Sequence, residues 1–294
     1  MTILKDTEYL REQSEMKVIH DLSHTRVRDA YNVKWEGTDL ESNLRRVEGD
    51  ESVQEIEGYL GGRTDLKILD VGCGMGRTVE YFSNKGYDVT GIDLASTGLQ
   101  AYRDIRPNAD LVCGSADSLP FAPKSFDLIM LMGVLYEIES VDDIIDMLSN
   151  MTNVLKPGGR LIYVCQYPKD LWKTILSHVP FEKRWFRFLF MRNKYHAVPH
   201  FGRWVISNHE TIKLFTQSGW KLETLKPLNH YYGAANWFYD IFYKRRNIEP
   251  LAFAVEKNPE TSIRLPGRVV AKFSKRFCPM LCPGLVYLQM KVKD

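Results

Sequence analysis

The sequence contains no apolar run long enough to cross a membrane. Its most apolar segment, Leu128 to Tyr136, is far shorter than the roughly 18 residues that a membrane-spanning helix needs. The first residues, Met1-Thr-Ile-Leu-Lys-Asp, lack the basic region and apolar stretch of a secretory signal. Repeats, low-complexity tracts and linker-like segments are also missing. We therefore expect a single domain over residues 1–294.

Cysteine is scarce, and its count is odd. The 294 residues include five, at positions 73, 113, 165, 278 and 282. Cys73, Cys113 and Cys165 fall in or beside predicted strands and are expected to be buried free thiols. Cys278 and Cys282 have the spacing C-x₃-C, but no nearby histidine would complete a zinc site. This pattern predicts a reduced, cytoplasmic protein.

The net charge of +2 hides an uneven distribution. Residues 1–160 contain 17 Lys and Arg against 28 Asp and Glu, whereas residues 161–294 contain 22 against 9. The second part also holds 24 of the 35 aromatic residues. A basic, aromatic half suits an anionic substrate, a membrane surface or nucleic acid. The alternative is that these basic residues complement the acidic half or are simply solvated.

The most informative stretch is residues 67–78, Lys-Ile-Leu-Asp-Val-Gly-Cys-Gly-Met-Gly-Arg-Thr. The apolar run 68–71 predicts a buried parallel strand. Gly72, Gly74 and Gly76 follow at alternate positions, and apolar residues then recur at helical spacing. A strand, glycine turn and helix in this order let the backbone approach a ligand closely, because glycine has no Cβ.

A second predicted strand, residues 87–93, ends in an acid. Asp93 lies 21 positions after Gly72, where a carboxylate is placed to accept hydrogen bonds from ribose hydroxyls. The alternative is that Asp93 only caps the next helix. The dinucleotide fingerprint G-x-G-x-x-G is not matched, because the spacing is G-x-G-x-G and Arg77 stands where the third glycine belongs.

This segment resembles the first motif of the class I S-adenosylmethionine-dependent methyltransferases, a hydrophobic strand followed by D-x-G-x-G-x-G. Four more stretches resemble that family's motifs in the right order: Val89 to Leu94, Gly114 to Phe121, Ser125 to Leu131 and Val154 to Leu161. The resemblance covers residues 65–165 and is closest to the small-molecule type found in ubiquinone and menaquinone biosynthesis. It implies S-adenosyl-L-methionine as co-substrate, with no metal.

The resemblance and the alternation of strands with helices predict an α/β fold. We expect a Rossmann-like, doubly wound, mostly parallel seven-stranded sheet. Strands are expected near 67–71, 88–93, 110–113, 126–132, 160–166, 221–228 and 285–293. The chain would divide into an N-terminal helical lid (1–62), a cofactor-binding core (63–166), helical substrate-covering insertions after strands five and six (167–206 and 229–280), and the end of the sheet (207–228 and 281–294).

The resemblance also implies which residues bind the cofactor. They are Asp70, Gly72, Cys73, Gly74, Gly76, Asp93, Leu94, Ser115, Ala116, Asp117 and Met132. The family often has Asp where this sequence has Ser115. Either Asp117 takes over the contact to the adenine amino group, or Ser115 makes that contact more weakly.

Four residues are candidates for a general base. Tyr136 and Glu137 follow strand four, where the family lines its acceptor pocket, and His200 and His230 lie in the insertions beside aromatic residues. A hydroxyl acceptor needs a base, whereas an amine or an activated carbon needs one much less. Each histidine has the alternative of a structural or surface role.

The predicted function is methyl transfer to a small-molecule or lipid-like acceptor, at oxygen, with an anionic group on the acceptor. Peripheral membrane contact is compatible with the basic, aromatic half. The Asn-Pro-Pro-Tyr motif of enzymes that methylate bases in nucleic acid would fall at 132–136, where the sequence is Met-Gly-Val-Leu-Tyr. Nucleic acid is therefore not the expected partner. The alternatives are an RNA or protein methyltransferase that uses the basic half, and a non-catalytic S-adenosylmethionine-binding protein.

Overall fold

The structure, a computed structural model, describes residues 24–47, 50–135, 138, 141–166, 208–228, 265–277 and 285–293. The helices among them are α1 (24–36), α2 (Leu40–Arg45), α3 (Glu51–Leu60), α4 (Arg77–Ser83), α5 (Ser96–Ile105), α6 (Val141–Val154), α7 (Asn208–Gln217) and α8 (Leu265–Phe277). The strands are β1 (Lys67–Val71), β2 (Asp88–Asp93), β3 (Leu111–Cys113), β4 (Phe126–Met132), β5 (Leu155–Gln166), β6 (Trp220–Leu228) and β7 (Leu285–Val292).

The strands form one seven-stranded sheet in the order β3-β2-β1-β4-β5-β7-β6. Strands β1 to β5 pair in parallel, and β7 lies antiparallel between β5 and β6. The order reverses direction between β1 and β4, so a crevice is expected at their carboxyl ends. The predicted α/β, doubly wound, mostly parallel sheet is confirmed.

Helices cover both faces of the sheet. The central strands β1 and β4 are buried at consecutive positions, so side chains on both faces of the sheet are covered. One buried cluster packs α6 and α7 against the sheet through residues such as Leu148, Phe215 and Trp220. The other packs α3, α4 and α5 through residues such as Ile56 and Phe82. This double layer holds the carboxyl ends of β1, β2 and β4 in fixed positions, which is what a site at that edge requires.

The predicted start of the fifth strand was five residues late. Leu155 already pairs with Phe126, and the register then shifts so that Arg160 pairs with Leu128. The intervening residues form a bulge that contains Gly158 at φ 82°. A bulge interrupts the apolar pattern of a strand, so the sequence signal begins only after it.

The cysteines differ from expectation at two positions. Cys73 is a buried free thiol and Cys165 is half-buried, but Cys113 is exposed. Cys113 ends the three-residue strand β3, which forms an edge of the sheet. Among the described strands none pairs with its outer side, so the prediction of a buried thiol was wrong there. Cys278 and Cys282 lie outside the described residues.

The predicted lid and insertions are described only in part. Residues 24–60 are mainly helical, as expected, and α8 falls within the predicted second insertion. The remainder of 229–280, and all of 167–206, lie outside the described residues. The division of the chain into these segments stays a prediction. Within the described part of the chain, no helix has the length and apolar character needed to cross a membrane.

Candidate active site

The glycine turn between β1 and α4 lies directly against β2. The N–H groups of Gly72 and Cys73 both donate to the carbonyl of Ile92, at 2.8 and 3.1 Å. Gly74 has a φ of 58°, in the left-handed region that side chains rarely adopt. A Cβ on Gly74 would stand 2.9 Å from Cζ2 of Trp35. The absence of a side chain at Gly74 thus leaves room for the Trp35 ring, which packs directly on the turn.

Asp93, at the end of β2, connects this turn to the next one. Its Oδ2 accepts from the N–H of Gly74 at 2.8 Å, and its Oδ1 accepts from the N–H of Ala95 at 2.8 Å. Burial raises the pKa of the Asp93 carboxyl, against these two hydrogen bonds and the charge of Lys34, which lower it. The alternative that Asp93 only caps the next helix therefore accounts for Oδ1 but not for Oδ2. Each oxygen keeps a further acceptor direction for a ligand hydroxyl.

Asp70, within β1 and next to the turn, is a second buried acid. It is 1 % exposed, and its Oδ2 accepts a hydrogen bond from the hydroxyl of Thr78. Burial raises the pKa of Asp70 to about 6, while the Thr78 bond and the charge of Arg77 lower it. Burial also raises the pKa of the neighbouring Cys73 thiol well above its usual value. Cys73 is therefore a neutral wall residue rather than a nucleophile.

Helix α1 lies across the same edge of the sheet. His24 Nε2 stands 3.4 Å from Asp117 Oδ2 in the loop after β3. Asn32 Oδ1 accepts from the N–H of Thr97 at 3.1 Å, at the start of α5. Trp35, one turn further, reaches Gly74. These three α1 residues have the spacing i, i+8, i+11, so one face of the helix contacts loops after three strands.

Trp35 is the unusual residue on that face. Its Nε1 is a buried polar atom for which the described residues offer no hydrogen-bond partner. A buried donor left unpaired costs about 1–3 kcal/mol. By contrast, Trp220 Nε1 in the core donates to the carbonyl of Leu148 at 3.1 Å. The ammonium of Lys34 lies 4.4 Å from the centre of the Trp35 ring, which adds a cation–π contact.

Trp35 was absent from the predicted site residues, although two signals pointed to it. Tyr31 and Trp35 are four residues apart on α1, and their ring centres are 5.9 Å apart. Gly98 stands inside α5, where glycine is unfavourable. A Cβ on Gly98 would lie 2.9 Å from Cδ1 of Trp35. The helix glycine is explained by the tryptophan that packs on it.

The predicted cofactor residues gather at this edge of the sheet. Asp70 and the glycine turn meet Asp93 and Leu94, and the N–H of Gly114, which precedes Ser115 and Ala116, donates to the carbonyl of Asp93 at 2.9 Å. Met132 ends β4 beside β1. After it, Val134 comes so close that a Cβ on Gly72 would lie 2.3 Å from its Cγ2. Segments distant in sequence therefore form one cradle.

The adenine-side alternatives are placed differently. The carboxylate of Asp117 faces α1 through its contact with His24, while Ser115 is half-buried in the loop after β3. Both residues stay candidates for that contact. The four candidate bases, Tyr136, Glu137, His200 and His230, all lie outside the described residues. Their roles stay predictions. No cluster of His, Cys, Asp and Glu suited to a metal occurs among the residues that the structure describes.

Known proteins resemble this chain over its central part. Residues 69–163 match the family described as a methyltransferase domain. The demethylmenaquinone methyltransferase of Renibacterium salmoninarum is 33% identical over 103 residues, which cover 35% of this chain and 42% of that protein. The malonyl-[acyl-carrier protein] O-methyltransferase of Salmonella typhimurium is 31% identical over 117 residues, covering 39% and 45%. The chain thus spans less than half the length of these two curated relatives.

A solved structure shows the same fold over most of the chain. A proposed sarcosine dimethylglycine methyltransferase from Galdieria sulphuraria superposes with a TM-score of 0.52 at 12% identity, covering 84% of this chain and 86% of that one. At this identity the likeness concerns the fold alone. Residues 69–163, which contain the glycine turn and Asp93, are thus similar to methyltransferase domains, and the resemblance to the class I S-adenosylmethionine-dependent methyltransferases is confirmed over this segment.

Proposed function

We propose that the protein transfers a methyl group from S-adenosylmethionine to a small-molecule or lipid-like acceptor. The observation that carries this proposal is the bond between the Gly74 N–H and the Asp93 carboxylate. It places an acid, with acceptor capacity to spare, beside a turn whose glycines carry no side chain of their own. This combination suits a nucleoside whose ribose hydroxyls donate and whose chain lies against backbone.

The residues present fit this donor molecule. Asp93 would hold the ribose, and the turn from Gly72 to Gly74 would accommodate the amino-acid part. Asp70 and Asp93 supply negative charge, which suits a cationic sulfonium and ammonium. The buried N–H of Trp35, unpaired among the described residues, would donate to an acceptor atom of the bound molecule. When bound, the donor supplies a methyl group already activated by the positive charge on sulfur.

The protein's own contribution is mainly positioning. Well-oriented reactants avoid entropic costs worth on the order of 7–11 kcal/mol. The paired helix layers fix the donor edge, and α1 withdraws the turn from water. We propose that the acceptor is methylated at oxygen and that Tyr136, Glu137, His200 or His230 removes its proton.

Two observations support an anionic, small or lipid-like acceptor. The chain after residue 160 is rich in Lys, Arg and aromatic residues, which favour ring-bearing or acyl molecules with a negative group. The names of two relatives also favour a small or lipid-like acceptor. One relative is named for a demethylated menaquinone, and the other is named as an O-methyltransferase for a malonyl group on a carrier protein.

The experiment follows methyl-labelled S-adenosylmethionine with the full chain and a panel of hydroxyl and carboxyl acceptors, beginning with quinols and acyl acids. Label transfer and stoichiometric S-adenosylhomocysteine would support the proposal. Transfer only to RNA or protein would favour the second candidate function, which uses the basic half as an electrostatic footprint. Donor binding without transfer to any acceptor class would favour a non-catalytic binding protein.

Substitution of His200 tests one of the proposed bases. If His200 removes the acceptor's proton, His200→Ala lowers turnover by roughly 10²–10⁴-fold and leaves donor affinity unchanged. The same comparison applies to His230→Ala, Tyr136→Phe and Glu137→Gln. Turnover equal to that of the unchanged protein removes the substituted residue from the list of bases.

A further inference from the structure

Helix α8 presents an exposed apolar stripe. Val269, Phe273 and Phe277 are 58%, 50% and 67% exposed, although a globular protein usually buries side chains of this kind. They recur every four residues and so lie on one side of the helix. Ala271, two positions from Phe273 and therefore nearly opposite, is fully buried. The helix buries Ala271 on one face and directs Val269, Phe273 and Phe277 outward.

Basic residues flank this stripe, and acidic residues are missing from it. Lys272 and Arg276 follow Val269 at i+3 and i+7, on the edge of the same exposed face. The sequence from Leu265 to Lys293 contains six Lys and Arg and no Asp or Glu. An apolar stripe with phenylalanines beside a uniformly basic flank is the pattern of a helix that lies in a membrane interface.

We propose that α8 is a docking surface for anionic lipid membranes. Phe273 and Phe277 would enter the boundary between headgroups and acyl chains, while Lys272 and Arg276 would contact the negatively charged headgroups. Nucleic acid fits this surface less well. The two phenylalanine rings pack on each other, with centres 5.2 Å apart, and Val269 has no ring on which a base stacks.

The chain connection limits the distance between this surface and the sheet. Only seven residues separate Phe277 from Leu285, so the end of α8 lies within roughly 29 Å of the start of β7. Leu285 pairs with Gln166 at the carboxyl end of β5, which is the edge of the sheet that carries the glycine turn. The length of this connection thus limits how far α8 can lie from that edge. Docking itself does not depend on the proposed methyl transfer.

The test is co-sedimentation of the full chain with vesicles. Phosphatidylcholine vesicles are compared with vesicles that also contain phosphatidylglycerol, at low and high salt. We expect binding to the anionic vesicles only and release by salt, because charges at a surface are screened. Equal binding to both vesicle types, or to neither, would overturn the proposal.

Two sets of variants separate the apolar and the basic contributions. Phe273→Ser with Phe277→Ser should weaken binding to anionic vesicles at least about tenfold, and Lys272→Glu with Arg276→Glu should do so by a similar factor. The matched controls are Ile105→Ser, which removes an exposed apolar side chain on α5, and Lys213→Glu with Lys221→Glu, which makes the same change in charge elsewhere. Both controls should bind like the unchanged protein.

Thermal unfolding and S-adenosylmethionine binding, measured on each variant, show whether the fold and the donor site are intact. Vesicle binding retained in both α8 variants contradicts the proposal. Two further results contradict it. One is a dimer that light scattering detects in the unchanged protein and no longer detects in the α8 variants. The other is RNA binding that the lysine and arginine substitutions remove while vesicle binding stays absent. Lost donor binding in all proteins, with normal vesicle binding, would instead contradict the proposed function alone.

Discussion

Charge is used in opposite ways at the glycine turn and on helix α8. At the turn, Asp70 and Asp93 are withdrawn from water and fixed by hydrogen bonds from Thr78, Gly74 and Ala95. On α8, Lys272 and Arg276 stand exposed beside exposed phenylalanines. Burying a charge costs free energy, but a buried charge that is fixed in place can select a small ligand by the positions of its individual atoms. An exposed charge costs little free energy, and it distinguishes partner surfaces only by the sign of their charge.

We expect the glycine turn to tolerate no side chain at position 74. Gly74→Val should abolish donor binding, since its Cβ would already lie 2.9 Å from Trp35. The matched control is Gly158→Val. Gly158 also has a positive φ, of 82°, but a Cβ there meets nothing within 4 Å. Calorimetry should show donor binding only in the Gly158 variant. Equal loss in both would mean that backbone strain, rather than a blocked site, is responsible.

Removal of the Asp93 carboxylate should have the next largest effect. Asp93→Ala should weaken donor binding by roughly 10- to 150-fold, because hydrogen bonds to charged groups contribute about 1.5–3 kcal/mol. Asp88→Ala is the control, since Asp88 begins the same strand and only faces Lys67 at 3.6 Å. If titration with S-adenosylmethionine gives the same affinity for both variants, Asp93 does not bind the ribose.

The buried acid Asp70 should make stability depend on pH. Its pKa is raised to about 6 in the folded protein by burial, against about 3.9 in an unfolded chain. The folded state therefore binds more protons between these values, and stability falls by about 2 kcal/mol as the pH rises from 4 to 6, out of about 3 kcal/mol over the whole titration. Urea unfolding of Asp70→Asn should lack this part of the slope. An identical slope in the variant would show that Asp70 is not the titrating group.

Substitution of Trp35 should raise the stability of the ligand-free protein and lower its affinity for the donor. Trp35→Phe removes a buried N–H without a partner among the described residues, so the ligand-free protein should gain about 1 kcal/mol in stability. The same change should weaken donor binding by about 2- to 10-fold. In the control Trp220→Phe, the bond to Leu148 is lost, so stability should fall while donor affinity stays. Lower stability without weaker binding in Trp35→Phe would remove Trp35 from the donor site.

The sequence predicted the central part of the fold because local and global signals agree there. The β1 strand, the glycine turn and Asp93 follow one another within 27 residues, and each has its own composition. What it missed depends on contacts between distant segments. Trp35 meets Gly98 from 63 positions away, and the exposed Cys113 ends β3, which is an edge strand among the described strands.

We expect the glycine turn and Asp93 to bind S-adenosylmethionine. Calorimetric titration of the full chain with S-adenosylmethionine and S-adenosylhomocysteine tests it most directly. We predict saturable binding of both molecules at one site, at micromolar concentrations. Binding of neither molecule, by a chain that unfolds cooperatively and is therefore folded, would contradict it.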